Sequence, residues 1–137
     1  MKEETQLIKI GAVFIPVTDI DRAVSWYKDI LDLEHVGTWP DNEGADFYFR
    51  KEEQYLTLVK VQKKDPLTFT ANTNYPNPYF NFTTSDLEGY HKTLQSKGVK
   101  VSNIEDHGPI MLFNFYDPDG NKFDVVVDNE NYSFYSV

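Results

Sequence analysis

The chain has 137 residues, 40% hydrophobic and 15% aromatic, which is enough for one domain with a sizeable core. Its 22 acidic and 13 basic residues give a formal net charge of -9, which disfavours nucleic acids and anionic membranes because binding them requires positive charge. The absence of cysteine excludes disulfides, thiolate metal sites and cysteine nucleophiles. Residues 1–6 are polar and no apolar run reaches membrane-spanning length, so we expect a soluble, cytoplasmic protein.

The first half of the chain has the pattern of a strand, a helix and three further strands. Apolar residues from Leu7 to Val17 predict the first strand. The segment 18–21, Thr-Asp-Ile-Asp, is a capping arrangement in which Thr18 satisfies free N–H groups of the helix that follows. That helix carries an apolar stripe suited to a sheet, formed by Ile20, Ala23, Val24, Tyr27 and Leu31. The three further strands are predicted near 34–39, 45–50 and 54–61.

Residues 62–78 interrupt this pattern, because several Pro and Asn residues favour turns, and they are predicted to be a linker. The same order of elements then restarts with a strand over 79–84 and a second capping segment at 85–88, with Ser85 as the capping residue. The next helix is predicted to end at Gly98 and to carry one stripe formed by Leu87, Tyr90, His91 and Leu94.

Three strands are predicted to complete the second half, near 99–105, 110–116 and 121–128. The Asp119-Gly120 pair predicts a hairpin turn before the last of them, since such turns need residues that tolerate positive φ. The remaining segment, 129–137, contains three aromatic residues and is predicted to dock as an aromatic tail on the domain or on a partner subunit.

An internal repeat with an offset of 67 residues is the most informative feature of the sequence. The offset relates Asp19 to Asp86 and Thr57 to Asp124. We therefore predict an α+β fold of two tandem βαβββ modules, residues 7–61 and 79–128, forming curved mixed sheets around a cleft. Together the modules are predicted to make a single domain over residues 7–128.

Each module is predicted to cover one face of its strands with a helix and to leave the opposite face open. The helix-side positions are apolar, whereas the open face mixes aromatic with polar side chains, as small-molecule clefts do. The residues predicted to bind a ligand there are Phe14, Tyr55, Thr57, Tyr79, Asn81, His107 and Asp124. Second-rank candidates are Trp39, Tyr48 and Tyr116.

Two segments resemble signatures of the vicinal oxygen chelate superfamily, which includes glyoxalase I, extradiol dioxygenases, fosfomycin-resistance transferases and bleomycin-resistance proteins. Residues 17–31, VTDIDRAVSWYKDIL, resemble the first helix of the family, and residues 117–124, DPDGNKFD, resemble its final hairpin. The resemblance extends over residues 7–128. It implies the two-module fold, a homodimer and a small-molecule cleft near the subunit contact.

The resemblance also implies where a catalytic metal would be held. Family members with a metal use four ligands, usually His, Glu or Gln, His and Glu, and these positions fall on Ala12, Thr57, Tyr79 and Asp124. Because only Asp124 is a strong donor for a divalent ion, we expect no family-type metal site and no cofactor. The three histidines, His35, His91 and His107, leave a displaced divalent-metal site open.

Three classes of function remain open. The leading hypothesis is a metal-free protein that binds a cationic or aromatic small molecule, as the bleomycin-resistance branch does. The alternative is an enzyme: a metal-dependent lyase, dioxygenase or thiol transferase with atypical ligands, or a metal-free activity with Asp124 as general base beside Tyr79. If Asp124 is instead structural, we expect it to accept hydrogen bonds from Tyr79 or Asn81. The third hypothesis is a partner-binding module.

Overall fold

The computed structural model describes residues 4–49 and 54–130 and divides the chain into two compact units, Met1–Lys63 and Lys64–Val137. We call them the N-terminal unit and the C-terminal unit. Each contains one α-helix and a four-stranded mixed sheet, so the predicted α+β fold class is confirmed.

The N-terminal unit is a βαβββ arrangement. Its elements are β1 (Ala12–Val17), α1 (Ile20–Asp29), β2 (Glu34–Thr38), a short 3-10 helix (Pro40–Asn42), β3 (Gly44–Tyr48) and β4 (Tyr55–Lys60). The sheet order is β1-β4-β3-β2, with β1 parallel to β4 and the other neighbours antiparallel. Helix α1 buries Ile20, Ala23 and Tyr27, and the Tyr27 ring lies 6.1 Å from the ring of the buried Phe47.

The C-terminal unit repeats this arrangement after an added hairpin. Its elements are β5 (Thr68–Thr70), β6 (Pro76–Pro78), β7 (Phe82–Thr83), α2 (Leu87–Ser96), β8 (Glu105–Asp106), β9 (Ile110–Tyr116) and β10 (Lys122–Asp128). The four-stranded sheet has the order β7-β10-β9-β8, and β5 pairs with β6 in a separate antiparallel hairpin. Its core combines Leu94 of α2 with Phe113, Phe115, Phe123 and Val125 of the two long strands.

The repeat of 67 residues is visible in the backbone. Helices α1 and α2 have the same length and begin 67 positions apart. The parallel pairing of Ile15 with Leu58 in the N-terminal unit corresponds at the same offset to the pairing of Phe82 with Val125 in the C-terminal unit. The sequence offset therefore reports a true repetition of the module.

The helix caps lie one residue later than predicted, at Asp19 and Asp86 rather than at Thr18 and Ser85. The carboxylate Oδ1 of Asp19 accepts a hydrogen bond from Arg22 N at 3.1 Å, and that of Asp86 accepts one from Gly89 N at 3.0 Å. An aspartate both satisfies a free N–H group and places negative charge at the positive end of the helix, so it is the better cap at these positions.

The predicted turn before the last strand is built around Asp117, which is 5% exposed. Its Oδ1 accepts hydrogen bonds from Asp119 N and Asn121 N at 2.9 and 2.8 Å, and its Oδ2 accepts one from Asn121 Nδ2 at 2.8 Å. Gly120 has φ 80°, which glycine adopts without strain. This turn fixes where β10 begins and thus the direction of every side chain along it.

Three of the predicted strands are shorter in the structure. The first begins at Ala12 rather than at Leu7, because its partner β4 begins at Tyr55. The strand predicted over 79–84 pairs only at Phe82–Thr83, since the chain is still paired with β5 as far as Pro78. The strand predicted over 99–105 is reduced to β8, Glu105–Asp106. Before it, the side-chain Oγ of Ser102 accepts the hydrogen bond from Asn114 N at 2.8 Å, which replaces a backbone ladder bond.

The segment predicted as a linker, residues 62–78, contains the β5–β6 hairpin. The predicted aromatic tail, 129–137, lies outside the described residues from position 131 onward. Among the described residues, neither α-helix has the length and apolar character needed to cross a bilayer.

Candidate functional site

A cleft of about 650 Å³ lies within the C-terminal unit, between the β5–β6 hairpin, the start of β7 and the open face of the sheet. Its lining is mostly aromatic, apolar or uncharged and consists of Thr73, Tyr75, Asn77, Pro78, Tyr79, Phe80, Asn81, His107, Pro109, Ile110, Leu112 and Asp124. Four of the seven predicted ligand-binding residues thus line one cavity: Tyr79, Asn81, His107 and Asp124.

A buried polar network adjoins Asp124 at the floor of this cleft. Tyr75 donates its hydroxyl hydrogen to Asp124 Oδ2 at 3.1 Å, and Lys122 Nζ donates to Tyr75 Oη at 3.1 Å and to the Pro76 carbonyl at 3.3 Å. Lys122 Nζ also lies 3.9 Å from Asp124 Oδ1, with both side chains more than nine-tenths buried. Within the described part of the chain, Asp124 Oδ1 has no hydrogen-bond partner, so the ion pair with Lys122 is its main compensation.

Burial shifts the ionisation of both acidic groups in the network. Desolvation raises the pKa of Asp124 above its usual value, while Lys122, Tyr75 and His107 act in the opposite direction. Desolvation, followed by the nearby Asp124 carboxylate, raises the pKa of Tyr75 to about 12. Tyr75 therefore keeps its proton at neutral pH and remains a hydrogen-bond donor to Asp124.

Aromatic rings form the walls of the cleft. The rings of Tyr79 and Phe69 lie 5.0 Å apart, and the Tyr75 ring meets His107 edge-on at 6.0 Å. Tyr79 is 66% exposed, so most of its ring surface is available to a ligand. The Tyr79 hydroxyl is not the hydrogen-bond donor to Asp124. The prediction that Asp124 accepts hydrogen bonds from Tyr79 or Asn81 is wrong, since Tyr75 makes that bond.

Sequence reasoning missed Tyr75 and the pairing of Lys122 with Asp124. Tyr75 lies in the segment predicted as a linker, and the only sequence signal was an aromatic residue among turn-forming ones. Lys122 and Asp124 are two positions apart on β10, and this spacing places both side chains on one face of a strand. That spacing could have predicted the ion pair.

The other predicted ligand-binding residues, Phe14, Tyr55 and Thr57, belong to the open face of the N-terminal unit. Phe14 is 61% exposed, whereas Thr57 is buried and donates its hydroxyl hydrogen to Asp46 Oδ1 at 2.8 Å. The hydroxyl oxygens of Tyr55 and Tyr48 lie 2.5 Å apart in a hydrogen bond.

Two second-rank candidates have defined places as well. Trp39 donates from Nε1 to Asp46 Oδ2 at 3.0 Å, and its ring lies against Gly44, where a Cβ would come within 2.5 Å of the indole. Tyr116 is 55% exposed and does not line the cleft of the C-terminal unit.

The two remaining histidines make local contacts. His35 Nε2 lies 3.0 Å from Thr38 Oγ1, and its ring packs on Phe47 at 5.1 Å. His91 Nε2 donates to the Ser102 carbonyl at 2.8 Å and meets Phe113 edge-on. These contacts account for both imidazoles without a ligand.

The side chains at the four family ligand positions do not fit a divalent metal. Ala12 offers no donor atom, and the Thr57 hydroxyl is bonded to Asp46. Tyr79 offers a neutral phenol, which is a weak ligand for a divalent metal, and Asp124 already faces the Lys122 ammonium. A neighbouring ammonium competes with a metal ion for the same carboxylate, and its positive charge repels the metal ion. In the described ranges, 4–49 and 54–130, no three His, Asp or Glu side chains are grouped so that they could hold a metal ion together.

Comparison with known proteins identifies the family. A family model for the Glyoxalase/Bleomycin resistance protein/Dioxygenase superfamily matches residues 9–125. A comparison with curated proteins found no match.

Several solved structures share the fold. TnmS3, an antibiotic-binding protein from a Streptomyces species, is 19% identical with a TM-score of 0.69, over 89% of this chain and 97% of that one. A putative glyoxalase family protein from Bacillus anthracis is 16% identical with a TM-score of 0.70, over 93% and 100%. Lactoylglutathione lyase from Agrobacterium tumefaciens is 20% identical with a TM-score of 0.67, over 93% and 98%. At these identities the likeness establishes the fold alone.

Proposed function

The chain belongs to the Glyoxalase/Bleomycin resistance protein/Dioxygenase superfamily, and we propose that it binds an aromatic small molecule in the cleft of the C-terminal unit without a divalent metal. The observation that carries this proposal is the lining of the cleft. Exposed aromatic surface at Tyr79 stands beside a few polar groups, which is the composition of sites that bind drug-sized ligands.

Two further observations support binding over metal-dependent catalysis. The strong donor at the family ligand positions, Asp124, is paired with Lys122. In addition, the structural neighbour TnmS3 is an antibiotic-binding protein, so a protein with this fold binds a small molecule elsewhere.

A ligand screen with a matched pair of tyrosine variants tests the proposal. Aromatic compounds that raise the Tm of the wild type are titrated against Tyr79→Ala and Tyr116→Ala. Both tyrosines are exposed residues of the C-terminal unit, but only Tyr79 lines the cleft. We expect Tyr79→Ala to weaken binding about tenfold, as loss of a stacking contact does, and Tyr116→Ala to leave it unchanged. Equal effects of the two substitutions would place the ligand elsewhere.

A metal-free enzyme is the second candidate, because Tyr75 donates to a carboxylate whose pKa is raised by burial. In that function Asp124 would remove a proton next to a carbonyl, and Tyr75, rather than Tyr79, would be the accompanying acid. Conversion of a bound compound by the wild type, and loss of conversion but not of binding in Asp124→Asn, would establish it. If the wild type leaves the compound unchanged after long incubation, the protein binds the compound without converting it.

A further inference from the structure

We propose that Lys122 is the internal counter-ion of Asp124, and that the cleft therefore selects uncharged aromatic ligands over aromatic cations. The inference rests on the proposed binding function of the same cleft and names the class of ligand. The net charge of -9 suggests that the protein attracts cations. The charge inside the cleft can differ from this, because it is set by the few residues that lie there.

The lining of the cleft contains one formally charged side chain. Among the described residues that line it, Asp124 is the single carboxylate and none is Lys or Arg. The preference of the site for charged ligands therefore depends on whether the charge of Asp124 is compensated.

Lys122 supplies that compensation and is itself fully engaged. An ammonium group has three N–H donors. Two of them bond Tyr75 Oη and the Pro76 carbonyl at 3.1 and 3.3 Å, and Asp124 Oδ1 lies 3.9 Å from the same nitrogen. Lys122 is 8% exposed and does not line the cleft. It therefore neutralises the Asp124 carboxylate without presenting its own positive charge to a ligand.

The energetic consequence follows from desolvation. A cation entering an apolar cleft loses its hydration, and an uncompensated opposite charge offsets this cost far better than the cation–π contact that an aromatic ring supplies. Here the opposite charge is already paired, whereas an uncharged ring retains the stacking on the exposed Tyr79 without that cost. The other titratable groups nearby, His107 and Glu105, form a pair 4.0 Å apart with side chains 34% and 58% exposed, so solvent screens them.

Three probes that share one ring system measure the selection in the full-length protein. They are 1-naphthylmethanol, which is uncharged, 1-naphthylmethylammonium and 1-naphthoate, each titrated at pH 7.5 by ligand-observed NMR. We expect the alcohol to bind the wild type at least about tenfold more tightly than the ammonium, which corresponds to roughly 1.4 kcal/mol. Equal or tighter binding of the ammonium overturns the inference and leaves the binding function intact.

Two substitutions that remove opposite members of the pair give opposite signatures. Lys122→Met leaves Asp124 without its counter-ion, so affinity for 1-naphthylmethylammonium rises. Asp124→Asn leaves the ammonium of Lys122, so affinity for 1-naphthoate rises. Lys122→Arg keeps the charge and is expected to keep the preference for the alcohol. If one variant fails to fold, the other carries the same test.

The outcomes separate the two proposals. Binding of none of the probes at millimolar concentration by the wild type overturns the aromatic-binding function and the inference together. Binding of all three with no change of preference in either single variant shows that the pair does not set ligand charge, and overturns the inference alone.

Discussion

Asp124 and Lys122 are separated by one residue, and β10 directs both side chains to the same face of its sheet. Each is more than nine-tenths buried, so each charge depends on the other for compensation. Removing one member of such a pair leaves an uncompensated buried charge, which costs on the order of 3 kcal/mol. Burial makes the loss of either member costly, and it also makes the pKa of Asp124 depend on the groups around it.

We predict that Lys122→Met destabilises the protein increasingly as pH rises. Burial already raises the pKa of Asp124 in the folded state, so folding stability falls as pH increases from about 4 through that raised value. Lys122 is the strongest opposing influence, and its removal raises this pKa further. The variant should therefore lose about 3 kcal/mol at pH 8 and much less near pH 4, where Asp124 is protonated. Thermal and urea unfolding across this range measure the difference.

Lys92→Met is the control for this experiment, because Lys92 lies exposed on α2. It removes the same charge without a buried partner, and we expect a small effect that is independent of pH. A Lys122→Met penalty as large at pH 4 as at pH 8 would show that lost packing, rather than the ion pair, is responsible.

The β5–β6 hairpin is the element that converts an open sheet face into a cleft. Its attachment to β10 depends on Tyr75, which bonds both members of the ion pair, and on the Pro76 carbonyl, which accepts from Lys122. The hairpin itself is short, with two strands of three residues, so it has little stability of its own. Its position therefore rests on contacts with the longer strand.

We predict that Tyr75→Phe loosens the hairpin. The substitution removes one hydroxyl and leaves Asp124 Oδ2 without its donor in a buried place, which costs about 1–3 kcal/mol. Amide hydrogen exchange of residues 68–78 should accelerate about tenfold or more, while exchange in α2 changes little.

The matched variant for Tyr75→Phe is Tyr79→Phe, which removes the hydroxyl of a side chain that is 66% exposed. We expect no change in exchange from it. Equal acceleration in both variants, or none in Tyr75→Phe, would show that Tyr75 does not hold the hairpin.

The whole molecule contains two copies of the βαβββ module, and the two copies carry different polar residues. The position of Asp124 corresponds by the repeat to Thr57, and in the N-terminal unit the carboxylate lies instead on the neighbouring strand, at Asp46. Both Asp46 oxygens accept hydrogen bonds, from Thr57 and Trp39. The units therefore share a backbone while differing in the chemistry of their open faces, and the homodimer that the resemblance implies stays a prediction.

We predict that divalent metals do not stabilise the purified, untagged protein. A ligand that binds the folded state raises its stability by RT ln(1 + [L]/Kd), so a genuine site would be visible in Tm. Zn²⁺, Ni²⁺, Mn²⁺ and EDTA are each expected to leave Tm unchanged, and elemental analysis to find less than stoichiometric metal. A shift of several degrees that EDTA abolishes would contradict the metal-free proposal and direct attention to donors around Asp124, beginning with His107.

The sequence by itself determined the module and its repetition. Apolar spacing, the capping segments 18–21 and 85–88 and the Asp119-Gly120 turn are local features, because each depends on residues a few positions apart, and they predicted both helices and the long strands. The resemblance to a superfamily, confirmed by the match over residues 9–125, followed from the same local segments.

Only the tertiary structure decided the short strands and the floor of the cleft. Tyr75 meets Asp124 across 49 positions of chain, and Lys122 reaches Pro76 across 46. No local pattern encodes such contacts, since they arise when the hairpin packs on β10 and water is excluded between them. Burial then raises the pKa of Asp124, a property that depends on the surroundings of the carboxylate rather than on its sequence position.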